Sequence, residues 1–241
     1  MPRKSISKGP NKGIKYERRI NDILKSHDLQ LDSTQSAGAS DNPDGFFWYK
    51  GSRFPLEIKK PSADFAQIEL RWEENKRFYY SPRSKNLDFI SFLSDQSNFL
   101  EEINQNWQEI PKKFSKAHLV ERDRHWDLDH FKDIKKQISV RYIEEFYNSK
   151  CPPVHYIQIE KRGFFYMGED IANLDVPRIN GNPYLRARVK TRSASRNKWG
   201  FLVAIKMPGI KKSTHDIQEL DGRIFPFPEG DHIQGSIDEF L

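Results

Sequence analysis

The sequence predicts an α/β (α+β) protein, and three observations carry that reading. Apolar residues in 14–27 recur at helical spacing, and the period then shortens at 45–58 to two strand-like runs joined by a tight turn. After Cys151-Pro152-Pro153 almost every segment reads as strand, broken by Gly, Asn and Pro turns.

Residues 1–12 form a basic arm. Across the first fifteen positions there are five basic residues, two prolines, two glycines and no acid. Such a segment suits either a nucleic-acid contact or a solubilising tail. In "IKYERRINDILKSH", Ile14, Tyr16, Ile20, Ile23 and Leu24 mark one face of a helix, and Glu17 lies beside that stripe. "GFFWY" and "RFPLEIK" follow as two strands around a "KGS" turn, with Pro55 favouring an irregular or edge start to the second. Phe46, Phe47, Trp48 and Tyr49 are read as sheet and core packing.

A helix is expected over 62–80, capped by Ser62 or Asp64 and ended before Pro82. Residues 86–94 read as a buried strand. Residues 95–110 read as a helix, with Phe99, Ile103, Trp107 and Ile110 to one side. Residues 127–148 carry the clearest amphipathic pattern, through Phe131, Ile134, Ile138, Tyr142 and Phe146. "VHYIQIE", "GFFYMG", "YLRARVKTR" and "WGFLVAIKM" are then four strands. The organisation expected is an arm at 1–12, a core with a helical insertion at 13–150, and a β-rich region at 151–241 packed on that core and binding DNA.

Composition narrows the function classes. At 241 residues the chain can bury a sizeable core, and its net charge of +6 favours a polyanionic partner. The single cysteine, Cys151, rules out an intramolecular disulfide and a cysteine-based zinc cage. No apolar run approaches the roughly 20 residues of a membrane span, and no secretory h-region is seen. An intracellular, cytoplasmic protein without a membrane partner is therefore expected.

The chemistry lies in 43–59. Acid-x-Lys triplets arise by chance in so charged a chain; Glu74-Asn75-Lys76 and Asp133-Ile134-Lys135 are two, both in stretches read as helix. Glu57-Ile58-Lys59 differs because it lies on a predicted strand, where residues two apart share a face. The hairpin can also bring back Asp44, a carboxylate on the Pro43-Asp44-Gly45 turn. Phosphodiester hydrolysis needs an activated water and neutralisation of charge growing on phosphorus. Oxygen ligands from Asp44, Glu57 and the Ile58 carbonyl suit Mg²⁺, with Mn²⁺ as a substitute. Lys59 would orient the water, help deprotonate it, or stabilise phosphate charge. Glu17 would bind a second metal or its water.

Glu17 on a helix, Ser36-Ala37-Gly38-Ala39-Ser40, Pro43-Asp44 and Glu57-Ile58-Lys59 together resemble the PD-(D/E)xK nuclease superfamily. The Ser/Gly-rich passage is most similar to archaeal and phage-type Holliday-junction resolvases, and restriction enzymes share the core more loosely. The resemblance covers residues 13–80. It implies a restriction-endonuclease-like mixed sheet flanked by helices, divalent-metal dependence, and DNA, duplex or branched, as substrate. It implies Asp44, Glu57 and Lys59 as the catalytic set, Glu17 as auxiliary acid, and Gln67, at the start of the next helix, as a supporting residue. Ser36 or Ser40 would stand near the scissile phosphate. Many such enzymes act as homodimers.

Further along, Arg186, Arg188, Lys190, Arg192, Arg196 and Lys198 form a run without an acid. Strand alternation puts the first four on one face, suited to a phosphate backbone, with Tyr184 or Trp199 placed to stack on a base. The plainer alternative is a solvated edge hairpin. His125, Asp127, Asp129 and His130 resemble a metal cluster, but Asp127 or Asp129 reads more simply as a helix N-cap. Val203-Ala204-Ile205-Lys206 copies a kinase strand without the other kinase motifs and is a chance match. The leading expectation is a Mg²⁺-dependent DNA endonuclease. The alternative is a catalytically silent nucleic-acid-binding protein of the same fold.

Overall fold

The computed structural model describes residues 12–30, 43–60, 64–73, 76–112, 121–191 and 199–219. The elements up to the first helical pair are α1 (Lys12–Ser26), β1 (Gly45–Tyr49), β2 (Ser52–Lys59), β3 (Ala66–Trp72), β4 (Phe78–Tyr80), α2 (Leu87–Asp95) and α3 (Phe99–Asn106). Then come α4 (Glu121–His130), β5 (Ile134–Gln137), α5 (Val140–Asn148), β6 (Tyr156–Ile159), β7 (Gly163–Tyr166), β8 (Tyr184–Thr191), β9 (Trp199–Lys206) and a 3₁₀ turn (Ile217–Glu219). The α+β class is as expected. The described residues of 1–61, 147–179 and 212–241 form one compact unit, and those of 62–146 and 180–211 a second. The boundary expected at 150/151 falls inside the first unit.

The first unit is built on a mixed sheet of order β1-β2-β6-β7. β1 and β2 form the expected hairpin, with Tyr49 opposite Ser52. Lys50 and Gly51 turn it with φ of 47° and 73°, the two positive values that match the twist of paired strands. β2 runs parallel to β6, with Leu56 opposite Tyr156 and Lys59 opposite Ile159. It is thus an inner strand, and Pro55 lies opposite Phe46 on its β1 side. One face of the sheet carries Phe47, Leu56, Ile58, Tyr156 and Phe164, packed with Tyr16, Ile20 and Leu24 of α1 in one core. The stacked rings of Phe47 and Phe54 (5.3 Å) and of Tyr156 and Phe164 (5.6 Å) fill its centre.

Gln158, fully buried on β6, ties the layers together. Its amide donates to the Tyr16 hydroxyl (3.1 Å) and to Asp216 (2.7 Å), and its carbonyl accepts from the Ile217 N–H (3.1 Å). Those bonds satisfy a polar group that would otherwise be costly at such depth.

The second unit is built on an antiparallel sheet of order β4-β3-β9-β8-β5. Phe78, Trp107, Phe131 and Phe201 pack edge to face or tilted in its core. Three expectations are corrected here. Residues 62–80 are no helix: Ala66, Ile68 and Leu70 are buried while Gln67 and Arg71 are exposed, the period-two pattern of β3, which pairs with β9. Residues 86–94 are helix α2 rather than strand, burying Phe89, Ile90 and Leu93 at helical spacing. Residues 127–148 are interrupted by β5, because Ile134 pairs with Ala187 and the Ile138 N–H bonds the Pro183 carbonyl. Helix α5 then starts afresh, with Ser139 Oγ accepting from the Arg141 N–H (3.2 Å).

Gly45 sits where α1 crosses the start of β1. A Cβ there would collide with Asn21 Oδ1, while Asn21 Nδ2 donates to the Asp44 carbonyl (3.1 Å). Gly45→Ala should therefore lower stability by about 1–3 kcal/mol, read from the urea midpoint. The loss should shrink in an Asn21→Ala background, where the colliding oxygen is gone; equal losses in both backgrounds would mean the close approach is not what excludes a side chain.

Candidate active site

Strand alternation decides which side chains of β2 meet. Leu56 and Ile58 enter the α1-facing core, so Glu57 and Lys59 share the opposite face. On that face Glu57 is only 4% exposed. Lys59 Nζ is in direct ion-pair contact with Glu57 Oε1. β1 ends its pairing at Gly45 opposite Leu56, so the Ile58 N–H has no strand partner on that side. Asp44 fills the place: its Oδ2 accepts from the Ile58 N–H at 3.0 Å and lies 3.9 Å from Lys59 Nζ. The Ile58 carbonyl points to the same edge of β2 as its N–H, toward Asp44.

Asp44, Glu57, Ile58 and Lys59 are thus brought together as expected. Glu17, half-buried on α1, is close enough for its charge to push on Asp44. Two groups went unnoticed in the sequence. Tyr147, near the end of α5, donates its hydroxyl to Glu57 Oε1 at 3.1 Å. Lys150 lowers the Glu57 pKa through its charge and lies 4.8 Å from the Tyr147 ring centroid. Nothing in local sequence marks either, since both meet Glu57 through chain ninety residues away.

The two carboxylates differ electrically. Burial, then the charge of Glu57, pushes Asp44 up to about 7, against the pull of Lys59 and the Ile58 N–H. Burial also pushes Glu57 up, but Lys59, Lys150 and the Tyr147 hydroxyl outweigh it, and its pKa falls below the ordinary value. Burial pulls Lys59 down, yet Glu57, Tyr147 and Asp44 raise it well above an ordinary lysine. Lys59 is therefore an ammonium and not a ready base. Of the three roles open to it from sequence, charge stabilisation and orientation fit this state.

Donors converge on Glu57 Oε1 and Asp44 Oδ2; among the described residues none reaches Oε2 or Oδ1. Among the described residues no group of three or more His, Cys, Asp or Glu is arranged around a metal. The donor set is instead two carboxylates and one backbone carbonyl. Those hard oxygens fit Mg²⁺, which keeps several waters and takes one or two carboxylates plus substrate phosphate. An Asp44 that resists ionising beside Lys59 fits too, because the pocket still lacks positive charge.

Other sequence candidates belong to the second unit or lie outside the described residues. Gln67 stands exposed on β3 of the second unit, not at a helix start, and its carbonyl accepts from Asn86 Nδ2 (2.9 Å). Arg186 and Arg188 share a face of β8, but Arg186 is paired with Asp133 and Arg188 with Asp64 (3.4 Å). Ser36, Ser40, Arg192, Arg196 and Lys198 lie outside the described residues, as do the side chains of Lys190 and Trp199. Asp127 is no N-cap: it is buried inside α4 and accepts from the Lys112 N–H (2.8 Å). Asp133-Ile134-Lys135 enters strand β5, so strand context alone does not single out Glu57-Ile58-Lys59; the second carboxylate does.

The raised Asp44 pKa has a stability consequence. A group whose folded-state pKa lies above its unfolded value gives stability that is full below about pH 4 and lost as pH rises through about 7. Asp44→Asn keeps an acceptor for the Ile58 N–H and has no charge to bury. In chelator, its stability relative to wild type should therefore be higher at pH 8 than at pH 5. A pH-independent difference in urea midpoints would rule this out.

No family model matches the chain, and no curated protein matches it. Among solved structures it is similar to HhaI endonuclease in complex with DNA, at 14% identity over 82% of this chain and 88% of that chain, with a TM-score of 0.32. A likeness that slight carries no argument about the site. Among the described residues, no helix is long and apolar enough to cross a membrane.

Proposed function

We propose that the protein is a divalent-metal-dependent DNA endonuclease that hydrolyses phosphodiester bonds. The observation that carries this reading is the convergence of Asp44, Glu57, the Ile58 carbonyl and Lys59 at the point where β1 stops pairing with β2. The overall positive charge favours a polyanion as substrate.

Asp44, Glu57 and the Ile58 carbonyl would hold Mg²⁺, or Mn²⁺ in its place. When bound, the ion supplies positive charge to the phosphate oxygens and makes water more acidic. Lys59, kept protonated by Glu57, offsets charge growing on phosphorus and holds a phosphate oxygen in line. Glu17 adds a further carboxylate for a second cation or a water.

Arg186 and Arg188 would bind the phosphate backbone. For Arg186 the acid partner does not preclude this, whereas Arg188 is held by Asp64, whose side chain is only 9% exposed. The Arg186–Asp133 pair keeps 27% and 35% side-chain exposure, and pairs so exposed are worth about 0–1 kcal/mol, little enough for a phosphate to displace Asp133.

Purified wild type and Lys59→Ala should be tested on labelled plasmid, linear duplex, single strand and four-way junction with Mg²⁺, Mn²⁺ or EDTA. Wild type should cut with metal only, and the variant at least about a hundredfold more slowly. The preferred substrate then separates resolvase-like from site-specific cutting. No cutting of any substrate, with equal DNA binding by both proteins, would identify a silent DNA-binding protein instead. Arg186→Ala should weaken DNA binding similarly across sequences and reduce the salt slope by about one. An unchanged slope would remove Arg186 from the interface.

A further inference from the structure

From the contacts around Glu57 we infer that Tyr147 is a positioning residue that makes the site selective for Mg²⁺ over Ca²⁺. The inference rests on the metal-dependent reading above and concerns which oxygen of Glu57 a metal can use.

Two donors, Tyr147 Oη and Lys59 Nζ, meet the same atom, Glu57 Oε1. Glu57 is only 4% exposed, its backbone pairs with Ile157 of β6, and the two contacts to Oε1 hold the carboxylate in this orientation. With Oε1 doubly engaged, Glu57 offers one oxygen, Oε2, to a metal. A carboxylate limited to one oxygen suits a small ion with near-octahedral geometry. Ca²⁺ takes six to eight oxygens and gains from carboxylates that bind through both. The Tyr147 hydroxyl thus works against the larger ion by withholding Oε1.

Two features keep Tyr147 in that role. Its ring is buried, with 2% of the residue exposed, so water does not replace the hydroxyl. Lys150 Nζ lies 4.8 Å from the ring centroid on the chain that leaves α5, a cation–π contact that holds the ring in place.

The test is direct metal binding to the full chain without DNA, comparing wild type with Tyr147→Phe by calorimetric titration of Mg²⁺ and of Ca²⁺. The substitution removes one oxygen and keeps the ring, and Glu57 keeps Lys59; a thermal melt checks that the variant is folded. The ratio of Ca²⁺ to Mg²⁺ affinity should rise roughly tenfold in Tyr147→Phe, the scale on which partners of metal ligands act. Tyr147→His, which can again present an N–H donor from a ring, should return the ratio toward wild type and serves as the second variant if Tyr147→Phe does not fold. Equal weakening of both metals would mean Tyr147 is merely structural and overturn the inference, leaving the metal site intact. Failure of wild type to bind either ion would overturn the metal reading and this inference with it.

Discussion

A carboxylate buried on an inner strand of the sheet is the constraint around which the first unit is organised. Water cannot solvate Glu57, so the protein must supply the compensation itself, and a buried charge without partners would cost several kcal/mol. Lys59 supplies charge, Tyr147 a hydrogen bond and Lys150 a more distant field. Each of these requirements pins a different piece of chain: β2 itself, the end of α5, and the segment leading to β6. The apolar side of the same strand makes the complementary demand, fixing α1 over Leu56 and Ile58.

The pair of carboxylates shows how one short stretch yields two different acids. Glu57 has three donors or cations and ionises easily, whereas Asp44 has a backbone N–H and a lysine at 3.9 Å that is already committed to its neighbour. A site with one settled and one reluctant carboxylate is short of positive charge by design of its backbone, since the early end of β1 is what brings Asp44 to Ile58. Lys59 cannot relieve both acids at once. That shortfall is the physical basis for expecting a cation there.

Much of the site could be read from sequence because it is local. Asp44, Glu57 and Lys59 fall within one hairpin, and a two-residue period with a Gly-containing turn suffices to put them near one another. Tyr147 and Lys150 could not be read, because their meeting with Glu57 depends on the parallel pairing of β2 with β6. The same division explains the elements. The α1 helix, the hairpin and strands β6 to β9 follow their own periodicity, while β5 does not: its Ile134 continues the helical spacing of Phe131 and Ile138, and only pairing with β8 overrides it. At 66–72 the alternation of Ala66, Ile68 and Leu70 was present in the sequence, but the polar Gln67 and Glu69 between them equally fit a helix surface. The short apolar run at 87–95 has no period that distinguishes strand from helix.

The parallel register of β2 and β6 also bears on how the protein comes into being. Lys59 lies beside Ile159, so the strand that pairs with β2 at Glu57 follows a hundred residues later in the chain. During synthesis at about 5–20 residues per second, the hairpin emerges roughly 5–20 s before its partner strand exists. Through that interval Glu57 and Lys59 stand on an unpaired edge, wetted and without Tyr147. A nascent chain therefore carries the acidic cluster in a dilute, solvent-screened form, and the concentrated field of the finished pocket arises only once the long loop has closed. Maturation of the site is in this way tied to a long-range strand pairing rather than to the folding of the hairpin that encodes it.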